Sequence, residues 1–175
     1  MLAWLFLAIH IFFALLIFCL VLSFFTGAPY VPTTNKAAHA MMKHANMTKG
    51  SKVYDLGSGN GKLLFLAAQK GATAIGFEIN PFLVLFTNIK SFFSPYRTRV
   101  HAVWKNFWHA DLSRADIIFL YLVPWHMDRL ENKLIKEARP GTRIVCNTFY
   151  FSRIPCIKKD AAHHVYVFTV PEKGI

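Results

Sequence analysis

The sequence predicts an α/β fold: a mostly parallel sheet with an antiparallel edge strand and helices on both faces, preceded by one transmembrane helix. Two stretches carry that expectation. Residues 2–25 are almost wholly apolar and hold no charged side chain. Residues 54–81 read YDLGSGNGKLLFLAAQKGATAIGFEINP, in which two short apolar runs are joined by alternating glycines and a helix-like stretch. That order is the signature of a strand, helix, strand unit with parallel strands.

The opening segment is about the 20 residues needed to cross a bilayer core as a helix. It lacks the basic flank, shorter apolar core and small-residue cleavage site of a secretory signal, so it reads as a retained anchor over 1–26. His10 and Ser23 lie within it, and His10 reads as a neutral group tolerated near one end. Lys36, Lys43, Lys49 and Lys52 follow the segment and no Lys or Arg precedes it. The positive-inside tendency therefore directs the remainder to the cytoplasm or an equivalent compartment, at a bacterial inner membrane or, in a eukaryote, a mitochondrial one. A linker and first helix occupy 27–50, with helix expected over 34–46. Residues 51–175 are enough for one compact domain and too few for two.

Within that domain, the apolar run 53–56 suits a buried strand that turns sharply at Gly57, Gly59 and Gly61, where positive φ or close backbone approach needs glycine. Helix is expected over 62–70, strand over 74–77, and a further helix after Pro81. Strands follow at 99–103 and 117–122, then a helix at 125–138 and strands at 143–146 and 165–170. The last of these reads as part of an antiparallel edge pair joined through 155–160.

Spacing separates the cofactors this unit could hold. The glycines run G-x-G-x-G, whereas the dinucleotide fingerprint would need glycine at Lys62, and a P-loop would need other residues at Leu56 and Leu63. Asp55 suits a ligand with a positive amino group. The amino end of the following helix suits a carboxylate, and Glu78 is placed to accept hydrogen bonds from ribose hydroxyls. S-adenosylmethionine carries all three groups.

On D-x-G-x-G-x-G at 55–61 and Glu78, the chain resembles the class I S-adenosylmethionine-dependent methyltransferases, whose sheet is Rossmann-like. The likeness extends through PYVPT at 29–33, DLGSGNGK at 55–62, GFEINPFLV at 76–84 and YLVPWHM at 121–127. Together with the apolar leader, these resemble the membrane-anchored protein-lysine methyltransferases of the ATP synthase c-subunit and adenine nucleotide translocase, and their bacterial relatives. The resemblance implies that Asp55, Gly57, Ser58, Gly59 and Gly61 hold the methionine end of the cofactor, that Glu78 holds the ribose, and that Ile79 and Asn80 flank adenine. Where many members carry an acid after the third strand, this chain has Lys105, Asn106, Phe107 and Trp108. Asn106 could offer its carbonyl oxygen to the adenine amino group instead. Thr33 is expected to fold over the cofactor, or else to serve as a helix cap, a task open equally to Thr34 and Asn35.

The acceptor side of a doubly wound sheet lies beyond its strand ends, here at Tyr121, Leu122, Val123 and Pro124. Base and glycan methyltransferases of some classes carry an Asn or Asp here; YLVP has neither. Tyr121 and Pro124 are the catalytic candidates, the Tyr121 hydroxyl and backbone carbonyls serving to hydrogen-bond a lysine amine. Tyr121 reads equally as an ordinary packed aromatic, and His126 as an exposed residue on a first helical turn.

A net charge of +11 implies an acidic partner. Anionic lipid satisfies it beside an anchor. Nucleic acid is the competitor, through basic residues interleaved with Phe92, Trp104, Phe107 and Trp108, although aromatics spread through the whole chain favour core and membrane packing. Three cysteines make no disulfide framework, and the eight histidines show no metal-ligand spacing, so no metal is expected. The resulting expectation is S-adenosylmethionine-dependent methylation of a lysine on a membrane-associated protein. Methylation of a small molecule or lipid, or cofactor binding without catalysis, are the alternatives.

Overall fold

Apolar strand runs, each followed by a helix or turn, assemble one seven-stranded sheet. The computed structural model describes residues 2–26, 32–122 and 126–172, with the side chains of 19, 20 and 22–26 outside the description. In chain order the elements are α1 (Leu2–Thr26), α2 (Asn35–His44), β1 (Lys52–Leu56), α3 (Lys62–Gln69), β2 (Thr73–Glu78), α4 (Pro81–Phe92) and β3 (Val100–Trp104). A 3-10 turn η1 (Phe107–His109), β4 (Ile117–Leu120), α5 (Met127–Glu137), β5 (Arg143–Asn147), β6 (Cys156–Asp160) and β7 (Val165–Thr169) complete the chain.

The strand order is β3-β2-β1-β4-β5-β7-β6. β3, β2, β1, β4 and β5 pair in parallel, and β7 runs antiparallel to both β5 and β6. The antiparallel strand is thus one place in from the edge, and the edge itself is β6, in the segment expected only as a connection. Its sequence, CIKKD, has no apolar alternation; pairing with the buried β7 makes it a strand.

Side chains alternate across the sheet and build a core on each face. Val53, Ile117, Phe119, Val145 and Val167 pack with α2 and α3 on one side. Tyr54, Leu56, Ile118, Leu120, Ile144 and Phe168 pack with α5 on the other. α2 begins at Thr34, whose Oγ1 accepts from the Ala37 N–H at 3.2 Å, so Thr34 and not Thr33 is the cap. Its far end is tied to β6 by His44, whose Nε2 lies 2.9 Å from Asp160. Hydrogen bonds from His44 and His163 hold Asp160 down at about 2.

α1 is one 25-residue helix. Among the described residues no helix is long and apolar enough to cross a membrane; the described side chains of α1 are continuous only over 2–18. Its Phe12 ring meets Phe82 at the start of α4, edge to face, with centroids 5.6 Å apart.

Candidate active site

The strand order reverses between β1 and β4, and in open α/β sheets ligands bind in the crevice beyond such a switch point. The glycine loop lies there. Gly57, Gly59 and Gly61 have φ of +84°, +54° and +74°. The Gly57 and Ser58 N–H groups both donate to the Phe77 carbonyl, at 2.9 and 3.2 Å, which holds the loop against the end of β2. Gly61 is required twice over, since a Cβ there would also sit 2.5 Å from Thr87 Cγ2. Ser58 is buried against Gly76 and Leu64, and its hydroxyl has no partner among the described residues. Its side chain packs on the sheet and its N–H is engaged by the Phe77 carbonyl, so Ser58 shapes the loop.

Asp55 ends up 4 % exposed on the central strand. Burial, and then the charge of Glu78, push its carboxyl up to about 7. A buried carboxylate is costly without a partner, and the ammonium of an amino-acid ligand would supply one. This chemistry fits the methionine end of S-adenosylmethionine.

Glu78, at the end of β2, is also buried. Its Oε2 accepts from the Gly59 N–H at 2.8 Å, and its Oε1 accepts from the N–H groups of Ile79 and Asn80, each at 2.9 Å. The carboxylate therefore clamps the glycine loop to the turn after β2. With three of roughly four acceptor positions used, a pair of ribose hydroxyls would share or displace the Gly59 bond.

Two asparagines expected near adenine are helix caps. Asn80 Oδ1 accepts from the Phe82 and Leu83 N–H groups at 3.0 and 3.4 Å, with Pro81 in the first turn. Asn106 Oδ1 accepts from the Trp108 N–H at 3.0 Å, so the oxygen assigned to an adenine amino group is already engaged. Ile79 is half-buried and its carbonyl accepts from the Trp104 indole N–H at 2.9 Å. Trp104 closes β3 in register with Glu78, and its indole covers the turn where adenine would lie. Pairing of β3 beside the Glu78 strand was the signal that could have singled it out.

Thr33 is half-buried, and its carbonyl accepts from Lys62 Nζ. The segment before α2 is thereby fastened over the head of α3, next to the glycine loop.

On the acceptor side, Tyr121 is half-buried one residue past β4, and Pro124 lies outside the described residues. His126 is half-buried, contrary to the expectation of an exposed residue, because its ring stacks edge-on with Trp108 at 5.8 Å. Burial and the Arg129 guanidinium hold its imidazole below the ordinary value. Arg129 itself lies over the Trp108 ring at 4.2 Å. Across the crevice, Thr148 follows β5 with φ +77°, a strained conformation for a β-branched residue. It is fixed by its N–H to the His164 carbonyl at 2.7 Å.

The profile of the ANTKMT methyltransferase domain matches residues 55–158, which include the glycine loop, Glu78 and Tyr121. The chain belongs to this methyltransferase family. It is similar to the ATP synthase c-subunit lysine N-methyltransferase of Homo sapiens, 34 % identical over 70 % of this chain and 52 % of that protein. It is also similar to a protein-lysine N-methyltransferase of Saccharolobus islandicus, 33 % identical over 73 % of this chain and 81 % of that one. The chain spans about half the length of the human relative. Among solved structures, an RNA methyltransferase from Salinibacter ruber in complex with S-adenosyl-L-homocysteine superposes with TM-score 0.77 and 29 % identity, over 83 % of this chain and 97 % of that one.

Proposed function

We propose that this family member is an S-adenosylmethionine-dependent methyltransferase acting on a lysine side chain of a membrane-associated protein. The observation that carries the cofactor reading is the buried Asp55 beside the Glu78-clamped glycine loop. The lysine reading is supported by the relatives named for that chemistry in Homo sapiens and Saccharolobus islandicus.

Asp55 would hold the ammonium, Glu78 the ribose, and Ile79 with Trp104 the adenine region, under the Thr33 segment, with the glycine loop as the floor beneath the methionine end. When bound, the cofactor supplies an electrophilic methyl group on a sulfonium. An uncharged lysine amine, its nitrogen oriented by Tyr121 and the 121–124 backbone, would take that methyl in line, the N–C bond forming as the S–C bond breaks and the neutral thioether leaves. The nitrogen's extra proton leaves to solvent, directly or by way of the His126 imidazole, and positioning supplies most of the acceleration.

The membrane part of the reading rests on α1. A 25-residue helix is about 37 Å long at 1.5 Å per residue, against roughly 30 Å of bilayer hydrocarbon, and it carries no charge. Lysines after it favour the cytoplasmic face, or its mitochondrial equivalent, for the 51–175 domain. Tethering to the acceptor's own membrane raises effective concentration.

The deciding experiment incubates the full chain with radiolabelled S-adenosylmethionine and its own membrane and RNA fractions. Label on a protein band, located to lysine by mass spectrometry, is the expected result. Label confined to lipid would replace this reading with lipid methylation. Label confined to RNA would favour the activity named for the Salinibacter neighbour, and cofactor binding without turnover would remove the enzyme reading.

A further inference from the structure

α4 is built inside out. Thr87 and Ser91, on the face turned to the protein, are buried. The Ser91 hydroxyl donates to the Val100 carbonyl at 2.9 Å. At the margin, Asn88 donates to the Ala102 carbonyl at 2.9 Å and accepts from the Ala102 N–H at 3.0 Å. The opposite face carries Leu85, Phe86, Ile89 and Phe92, each more than half exposed, and Phe93 follows at 81 %. These positions fall on one helical stripe. A surface helix normally turns such a stripe to the core; a contiguous exposed one marks a contact surface.

Two further observations say what covers it. The stripe continues onto exposed Val103 and Trp104 of the edge strand β3. Residues 79–110 contain no Asp or Glu but include Lys90, Arg97, Arg99 and Lys105. Aromatic and aliphatic side chains in a segment whose only formal charges are cationic match an anionic bilayer surface, where apolar groups enter the acyl boundary and cations meet headgroups.

We propose that the outer face of α4, with Val103 and Trp104, lies against an anionic phospholipid bilayer as a second contact beside α1. The inference rests on the membrane-tethered reading and adds orientation to it: one helix allows the domain to swivel, and a second contact stops it.

The test uses the full chain with Cys19→Ala and Cys156→Ser, a bimane label introduced in detergent at Ile89→Cys, Ile17→Cys or Lys136→Cys, and reconstitution into phosphatidylcholine vesicles with or without phosphatidylglycerol. Brominated acyl chains should quench the labels at 17 and 89 and leave that at 136 bright, with the loss at 89 strongest when phosphatidylglycerol is present. Quenching at 17 with position 89 as bright as 136 would overturn the α4 contact and leave the tether standing. No quenching at 17 would sink the tether itself. A response at 89 that appears only when membrane proteins are added would replace the lipid by a protein partner. Leu85→Cys gives the same readout should Ile89→Cys fold poorly.

Discussion

α3 and α4 follow neighbouring strands, β1 and β2, yet they solve opposite problems. α3 buries Leu63, Leu64, Phe65, Ala67 and Ala68 and is held by the hydrophobic effect. α4 buries Thr87 and Ser91, with Val84 as its one buried apolar residue, and is held largely by hydrogen bonds to β3 and by its cap. A buried hydroxyl that is hydrogen-bonded costs little, so α4 can stay docked while keeping its apolar side outward. The glycine loop is held from both sides, by the Lys62 N–H at the head of α3, which donates to Asn60 Oδ1, and by the Thr87 hydroxyl on α4, which donates to the Gly59 carbonyl.

Breaking α3 should have the largest effect. Leu64 is fully buried, and Leu64→Ala should cost about 2–5 kcal/mol in urea unfolding; a loss under about 1 kcal/mol would remove α3 from the core. Next is the loop between the helices. Gly61→Ala should cost about 1–3 kcal/mol from overpacking and roughly 1 more from its left-handed conformation. Adding Thr87→Ser removes the methyl that clashes, so thermal unfolding of the double variant should recover the first part only.

The pH dependence of cofactor affinity sharpens the picture of the same loop. In the free protein Asp55 is protonated below about 7, while an ammonium needs the carboxylate. Affinity measured by calorimetry should therefore be full above that value and fall about tenfold, or about 1.4 kcal/mol, for each pH unit below it. Asp55→Asn should bind more weakly and flatten the profile. Stability of the free protein runs the other way: the folded value lies above the unfolded one, so this contribution is present at acid pH and lost as pH rises toward 7.

Asn80→Ala should cost about 1 kcal/mol as a lost cap, and Asn80→Ser should restore most of it. Loss of cofactor affinity in the serine variant at restored stability would return Asn80 to the adenine site. Smallest is Phe92→Ser on the outward face, expected to change stability by less than about 0.5 kcal/mol. A larger loss would mean that the stripe is core after all.

Much of the sheet was legible because its strands are short apolar runs closed by punctuating glycines or acids, as at 53–57 and 74–78. Observed ends differ from expectation by only a few residues: α2 stops at His44 and α5 begins at Met127. β6 was not legible, since Lys158 and Lys159 give no strand signal and only β7 makes it one. Asn80 and Asn106 show another limit, because one amide suits a purine or a helix start equally well; Pro81 directly after Asn80 was the sign of a cap. The apolar stripe of α4 is visible in the spacing of Leu85, Phe86, Ile89, Phe92 and Phe93, but sequence does not say which face meets the sheet. That depends on Asn88 and Ser91 finding β3 backbone groups fourteen and nine residues further on.

The bond from Lys62 to the Thr33 carbonyl sets a ruler. Only six residues lie between Thr26, the last residue of α1, and Thr33, and seven fully extended steps reach about 25 Å. With α1 in the bilayer, as proposed, the mouth of the glycine loop could rise no higher above the lipid than that tether permits. On that proposal a lysine on a tall extramembrane domain would be out of range and one close to the headgroups within it, so acceptors would be sorted by altitude before any side chain recognises them.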